Sequence, residues 1–388
     1  MSSPLRGAIS VVGVGTAGCG EAPGFTELEI LSLAVAQALA EAGLKPADVD
    51  GLFTASVSSS MWSLGVAEAL GIHPTLVDGT TVGGSSFVGH LLTAALAIQA
   101  GVCQVALVCY GSTQRSGTGR AELARMRSAL DPLPYEAPYQ PLNPPTSYAL
   151  AAARHVHEFG TTREQLAEVA VAARAWARLN PEAFMREPLT IADCLASRMV
   201  CDPLTVRDCC LVTDGAGAVV LVAADRARQF DVTPVHLLGV GTALSHRQIA
   251  KMPVLTSTAA VESGRRAFDM AGLRAADVDV LELYDAFTIN PILFLEDLGF
   301  CAKGEGGAFV SGGAIAPGGR LPVNTNGGGL SCVHPGMYGI FTIIEAVRQL
   351  RGGLGDRQVA GARIALAHGN GGVLSAQATA IFGTTDTL

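Results

Sequence analysis

The sequence predicts an α/β fold built from two copies of one helix–strand plan, and three observations carry that prediction. AGLKPADVD at residues 42–50 returns as AGLRAADVD at 271–279, an offset of 229 positions. A second pair recurs in the same order: the glycine-led apolar helix of 85–101 precedes the strand-like VCQVALVCYG, and that of 337–353 precedes ARIALAHGNGG. These strands are continuously apolar rather than alternating, which requires helices on both faces of a sheet.

The elements follow in order. AISVV opens as a strand, and helical spacing from Thr26 to Leu39 stops at Ala42-Gly43-Leu44 before the strand-like GLFTAS. Val82-Gly83-Gly84 ends another strand and leads into the helix of 86–100 and the strand of 103–110. An insertion over about 111–208 begins with the polar STQRSGTGR and the proline-rich DPLPYEAPYQPLNPPTS, a loop region expected to cover a site. Thr161 with Glu164 forms a capping-box pattern ahead of the amphipathic EQLAEVAVAARAWARL. A buried strand and a polar helix, VTDGAGAVVLVAADRARQF, close the first copy. The halves are therefore 1–230 and 231–388. The second copy opens on DVTPVHLLGVG and carries VLELYDAF where the first has GLFTAS.

Composition narrows the function. A chain of 388 residues suits two domains, and 49% hydrophobic against 15% charged residues is the opposite of a disordered composition. A net charge of -8 offers no basic surface for a phosphate backbone, so nucleic acid is excluded as a partner. Leu91 to Tyr110 has the length of a membrane span, but Gly101 splits it and Gln99 and Gln104 would lie in hydrocarbon. The expectation is a buried helix and a buried strand, with no membrane span. MSSPLRGAISVVG has no secretory h-region, and nine scattered cysteines without a CxxC read as reduced core thiols. Both point to a cytoplasmic protein without a structural metal.

Four segments carry candidate chemistry. Gly13-x-Gly15-x-x-Gly18 mimics a dinucleotide fingerprint, but Pro23 and Gly24 intervene before any helix, so no helix N-terminus faces that loop. Ser85, at a strand-to-helix corner, is a nucleophile or a plain N-cap, and no GxSxG surrounds it. Tyr284-Asp285 ends a strand, and Gly327-Gly328-Gly329 leads to Cys332-Val333-His334-Pro335-Gly336-Met337-Tyr338 at a helix start. A histidine there is unlike a core residue. His368-Gly369-Asn370-Gly371-Gly372 follows the strand ARIALA, and its glycines can present backbone amides to a ligand.

AISVVGVGTAG, DCCLVTDGAGAVVLV, ELYDAFT, LEDLGFCAKGEGGAFV, GGRLPVNTNGGGL, HPGMYG and HGNGG together resemble the thiolase superfamily along nearly the whole chain. The resemblance is to its branch of sterol-carrier-protein-type thiolases and lipid-transfer-protein-type aldolases. It implies a five-layered αβαβα fold of two similar halves, an acyl-CoA substrate with no other cofactor, a homodimer, and a small zinc-ribbon/OB-fold partner protein. The nucleophilic cysteine of thiolases falls at Ser85, the second cysteine near His368, and the histidine-containing pair before the phenylalanine at Tyr284-Asp285. Only the HP histidine, His334, is kept. A serine hydroxyl needs an adjacent strong base where a thiolate does not.

The expected reaction is retro-aldol cleavage of a β-hydroxyacyl-CoA through a CoA enolate, which needs no nucleophile. Tyr338 or Tyr284 is the acid/base candidate, and His334 with the amides at Gly371 and Gly372 the oxyanion site. Asp285 orients its neighbour, while His246 reads as a solvated surface histidine. The alternatives are acyl transfer through Ser85 or Cys332, and a non-catalytic acyl-CoA-binding subunit.

Overall fold

The computed structural model describes residues 3–56, 59–117 and 136–388. The end of STQRSGTGR and the start of the proline-rich run, within 118–135, lie outside the described residues. The first half runs β1 (Ile9–Gly20), α1 (Glu27–Glu41), β2 (Gly51–Thr54), α2 (Trp62–Leu70), β3 (Leu76–Asp78), α3 (Ser86–Gln99) and β4 (Val105–Ser112). The insertion follows with α4 (Pro145–Phe159), α5 (Arg163–Leu179), α6 (Ile191–Ala196) and the hairpin β5 (Met199–Cys201) and β6 (Leu204–Thr205). The half then closes on β7 (Asp214–Ala223). The second half contains β8 (Val235–Leu244), α7 (Ala260–Ala271), β9 (Val280–Leu283), α8 (Ile289–Asp297) and α9 (Gly306–Val310). It ends with α10 (Gly339–Arg351), β10 (Ile364–Gly371) and β11 (Ala376–Gly383).

Nine strands line up in the order β3-β2-β4-β7-β1-β8-β11-β10-β9. β1 and β8 pair only at Ser10 with His236 and Val11 with Val235, so the row divides into a wing of five strands and a wing of four. α3 and α10 lie between the wings and touch strands of both, while α1 covers the outer face of the first wing and α7 that of the second. This is the five-layered αβαβα arrangement of a thiolase-like fold.

The duplication is visible residue by residue. The 3-10 turn Pro46–Asp48 and β2 recur at the same offset of 229 as Ala275–Asp277 and β9. The Gly13/Gly15 spacing reports helix–strand packing. A Cβ at Gly13 would lie 2.0 Å from the Ala38 carbonyl oxygen and one at Gly15 2.2 Å from that of Ala34. Gly239 and Gly241 repeat these approaches against Ala267 and Ser263, at 2.1 and 2.2 Å. The glycines let α1 and α7 lie directly on β1 and β8.

Two local readings need correction or completion. α5 is capped by Thr162 with Gln165, one residue later than the pattern suggested, because the Thr161 hydroxyl is bonded to His155 Nδ1 at 2.8 Å. The apolar stretch from Leu91 divides as expected into α3 and β4, and no helix among the described residues is long and apolar enough to cross a membrane.

Candidate active site

Four segments meet at the heads of α3 and α10, between the wings: the corner Val82–Ser86 before α3, Tyr284-Asp285 after β9, the loop 327–338 into α10, and the glycine turn at the end of β10. A Cβ on Gly84 would lie 2.1 Å from the Tyr284 ring, and one on Gly339 1.9 Å from the Gly84 carbonyl oxygen. Glycine is the side chain that fits at both places, so the heads of α3 and α10 abut across the site.

Tyr284 and His334 form its polar centre. The Tyr284 hydroxyl accepts the backbone N–H of Tyr338 at 3.1 Å and lies 3.2 Å from His334 Nε2, with the rings edge to face at 5.6 Å. The His334 backbone N–H donates to the Thr213 hydroxyl at 2.9 Å, and its ring stacks on Tyr338 at 6.3 Å. Burial lowers the His334 pKa to about 4 and raises that of Tyr284 well above its ordinary value. With His334 neutral and its proton on Nδ1, the Tyr284 O–H donates and Nε2 accepts.

Asp285 holds the approach to this pair. Its Oδ1 accepts the Gly329 N–H at 2.6 Å and its Oδ2 the Leu330 N–H at 3.2 Å, pinning the π-helical turn Gly328–Cys332 that delivers the chain to His334. Its contacts are thus with the glycine loop. Burial raises its pKa to about 7 against the pull of those two amides.

Other sequence candidates are disposed differently. Tyr338 is fully buried, donates its hydroxyl to Asn326 Oδ1 at 3.0 Å, and meets Tyr284 through its backbone N–H and an edge-to-face ring contact at 5.6 Å. His368 spends its ring nitrogens on Thr379 Oγ1 at 2.9 Å and Gln377 Oε1 at 3.0 Å and packs on Phe294, so it is a satisfied core histidine. Ser85 holds the N-cap position of α3 without a side-chain cap bond and meets no base: its Oγ donates to the Val82 carbonyl at 3.2 Å. Gly371 and Gly372 line the corner across from it, and a Cβ on Gly83 would lie 2.7 Å from the Gly372 nitrogen. Their carbonyls accept the Ser375 N–H at 3.0 Å and the Tyr148 hydroxyl at 3.1 Å. His246 is half-buried, its Nε2 2.9 Å from the Val373 carbonyl, which ties it to the glycine turn instead of leaving it in solvent. Cys332 is a core thiol against Asn180 Nδ2.

Sequence reasoning missed two neighbours. Tyr148 of α4 stacks on Phe287 at 4.3 Å, and its hydroxyl accepts from Asn370 Nδ2 at 2.8 Å while donating to Gly372. Cys210 donates its backbone N–H to Ala286 at 2.8 Å, and a charge on its thiol would be felt by both Tyr284 and Tyr148. Neither carries a spacing signal, because each arrives from the insertion or its exit.

A family model described as thiolase C-terminal domain-like matches residues 241–384. An acetyl-CoA acetyltransferase of Methanothermobacter thermautotrophicus is 35% identical, over 96% of this chain and 99% of its own length. The 17-hydroxy-3-oxo-4-pregnene-20-carboxyl-CoA lyase of Mycobacterium tuberculosis is 36% identical, over 90% and 92% respectively. Among solved structures, the Ltp2-ChsH2(DUF35) aldolase superposes with a TM-score of 0.88 at 32% identity, covering 98% of both chains.

Proposed function

Since the chain belongs to the thiolase superfamily, in its branch of sterol-carrier-protein-type thiolases and lipid-transfer-protein-type aldolases, we propose that it cleaves a β-hydroxyacyl-CoA by a retro-aldol step driven by Tyr284 and His334. It is an acyl-CoA-dependent enzyme of carbon–carbon bond cleavage or formation. Relatives named for acyl transfer and for lysis stand at nearly equal identity, and the disposition of the site supports the second.

The carrying observation is the buried Tyr284–His334 bond, opposite a Ser85 that has no base. The Tyr284 oxygen takes the β-hydroxyl proton as its own proton passes to His334 Nε2. The Cα–Cβ electron pair moves into the thioester enolate, and the β-oxygen becomes a ketone or aldehyde. The imidazolium returns its proton through Tyr284 to Cα, so no proton is gained or lost. A base with a pKa of about 4 is weak in the empty site, but the enolate charge beside it raises its proton affinity as the bond breaks. The thioester oxygen faces the Gly371–Gly372 turn, where the absence of a side chain at Gly83 leaves the Gly372 amide uncovered.

The lost thiolase cysteine belongs to the same reading, with Ser85 in its place. Coenzyme A enters as part of the substrate and no other cofactor is required. The working unit is a cytoplasmic homodimer with a small zinc-ribbon/OB-fold subunit; the coupling of Ltp2 to ChsH2(DUF35) in the name of the solved aldolase supports that partner.

Mass-spectrometric product analysis tests the proposal, with and without such a partner. A branched β-hydroxyacyl-CoA is expected to yield a carbonyl compound and a shortened acyl-CoA, while a β-ketoacyl-CoA with free CoA stays intact. CoA-dependent shortening of the β-ketoacyl-CoA alone would assign acyl transfer instead.

A further inference from the structure

Tyr110, near the end of β4, is buried and donates its hydroxyl to the Pro335 carbonyl at 2.5 Å, a bond between residues 225 positions apart. Its ring packs on Phe87 of α3 with the centroids 5.0 Å apart. Phenylalanine would keep that packing with no hydroxyl to strip of water, so the oxygen is explained by the carbonyl it reaches.

That carbonyl lies between the two groups that meet the Tyr284 hydroxyl. His334, just before it, brings Nε2 to 3.2 Å, and Tyr338, three residues after it, brings its backbone N–H to 3.1 Å. The carbonyl is the one polar backbone group a proline has, and Gly336 follows at a φ of +89°. The other supports of this turn also come from the first half. The Thr213 hydroxyl accepts the His334 N–H at 2.9 Å, the Thr213 N–H donates to the His334 carbonyl at 3.3 Å, and a Cβ on Gly215 would lie 3.3 Å from the Pro335 ring.

We infer that Tyr110 is a positioning residue for the acid/base pair: by holding the Pro335 carbonyl it fixes the turn that sets His334 Nε2 and the Tyr338 amide against the Tyr284 hydroxyl. The inference deepens the retro-aldol reading and rests on it for the catalytic part of that pair. Tyr110 acts through the turn and takes no proton itself. Displacing a catalytic group by about 1 Å can cost about a hundredfold in rate, so one hydroxyl behind the turn is enough to matter.

The test uses the full-length protein and a branched β-hydroxyacyl-CoA. Tyr110→Phe is expected to lower kcat about tenfold to a hundredfold with KM within about twofold of wild type. In the same variant the nitrogen-15 resonance of His334 Nε2 is expected to move toward that of an unbonded ring nitrogen. Thr54→Val removes another buried hydroxyl of the first half, bonded to the Cys109 carbonyl and to Trp62 rather than to the loop of His334, and is expected to lower the melting temperature without either change. Wild-type kcat or an unmoved His334 resonance in Tyr110→Phe, or the same two changes in Thr54→Val, overturns the inference. Tyr110→Met serves in the same comparison if the phenylalanine variant does not fold. The resonance is read without turnover, so a wild type whose Nε2 is bonded but which cleaves nothing refutes the retro-aldol reading and leaves the resonance to decide this one.

Discussion

The two halves of the molecule place the same elements at the same spacing, yet the proposed acid/base pair, Tyr284 and His334, comes from the second alone. Ala55 stands in the first half where Tyr284 stands in the second, at the shared offset of 229, and the neighbouring Thr54 spends its hydroxyl on the Cys109 carbonyl and on Trp62. The first half instead contributes glycine: Gly83 and Gly84 pack against Gly372 and the Tyr284 ring. Duplication supplied the scaffold twice. On the proposed reading the chemistry is built once, with the other copy fitted around it by Gly83 and Gly84.

The comparison can be broken where the halves touch. His334→Gln removes the proton acceptor, so turnover is expected to fall about hundredfold to ten-thousandfold, the range of general acid–base catalysis. Quenched-flow product analysis reads this, and near-wild-type turnover would remove His334 from the relay. Gly84→Ala leaves every ionisable group in place but drives a Cβ into the Tyr284 ring. A loss of about tenfold or more is expected from displacement of that ring. Activity equal to wild type would mean that the fit between the halves is not needed.

Two pH effects sharpen the same contrast. His334 acts as the neutral ring and its pKa is lowered to about 4, so activity is retained as pH falls through 6 and lost as it falls through about 4. An acid limb near 6.5, the ordinary histidine value, would place the imidazole in solvent. Asp285 has the opposite sign. Its folded pKa is raised to about 7 while the unfolded value lies near 3.9, so the native state binds the extra proton between them. That contribution to stability is complete below about 4 and lost as pH rises through about 7. In Asp285→Asn, the drop in melting temperature from pH 5 to pH 8 should shrink by about a few degrees. An unchanged drop would assign the pH dependence to other groups.

Much of this was legible in the sequence, for identifiable reasons. AGLKPADVD and AGLRAADVD mark a turn whose glycine, Gly43 or Gly272, sits at positive φ in both halves. That geometry constrains residue type strongly enough for the repeat to survive. That Gly13 and Gly15 form no nucleotide site was legible from the missing helix start, but the loop expected there is absent: both glycines lie inside β1, where α1 packs on them. That Tyr284, His334 and Asp285 lie close together was legible because each lies beside a glycine turn or a strand end. Which way a side chain turns was not legible. Tyr338 and His368 occupy equally suggestive positions, but Asn326 in the glycine loop and Thr379 and Gln377 on the adjacent strand β11 draw their polar atoms inward. Tyr148 was missed because only the folded insertion brings it to the site.

The central claim is that the second half's tyrosine, and not the first half's serine, carries the reaction. It is tested most directly by assaying Tyr284→Phe and Ser85→Ala side by side for carbonyl release from a β-hydroxyacyl-CoA, with acyl-CoA binding measured in both. The account predicts at least about a hundredfold loss in Tyr284→Phe with binding preserved, and turnover within about threefold of wild type in Ser85→Ala. The reverse order, an inactive Ser85→Ala beside an active Tyr284→Phe, would contradict it.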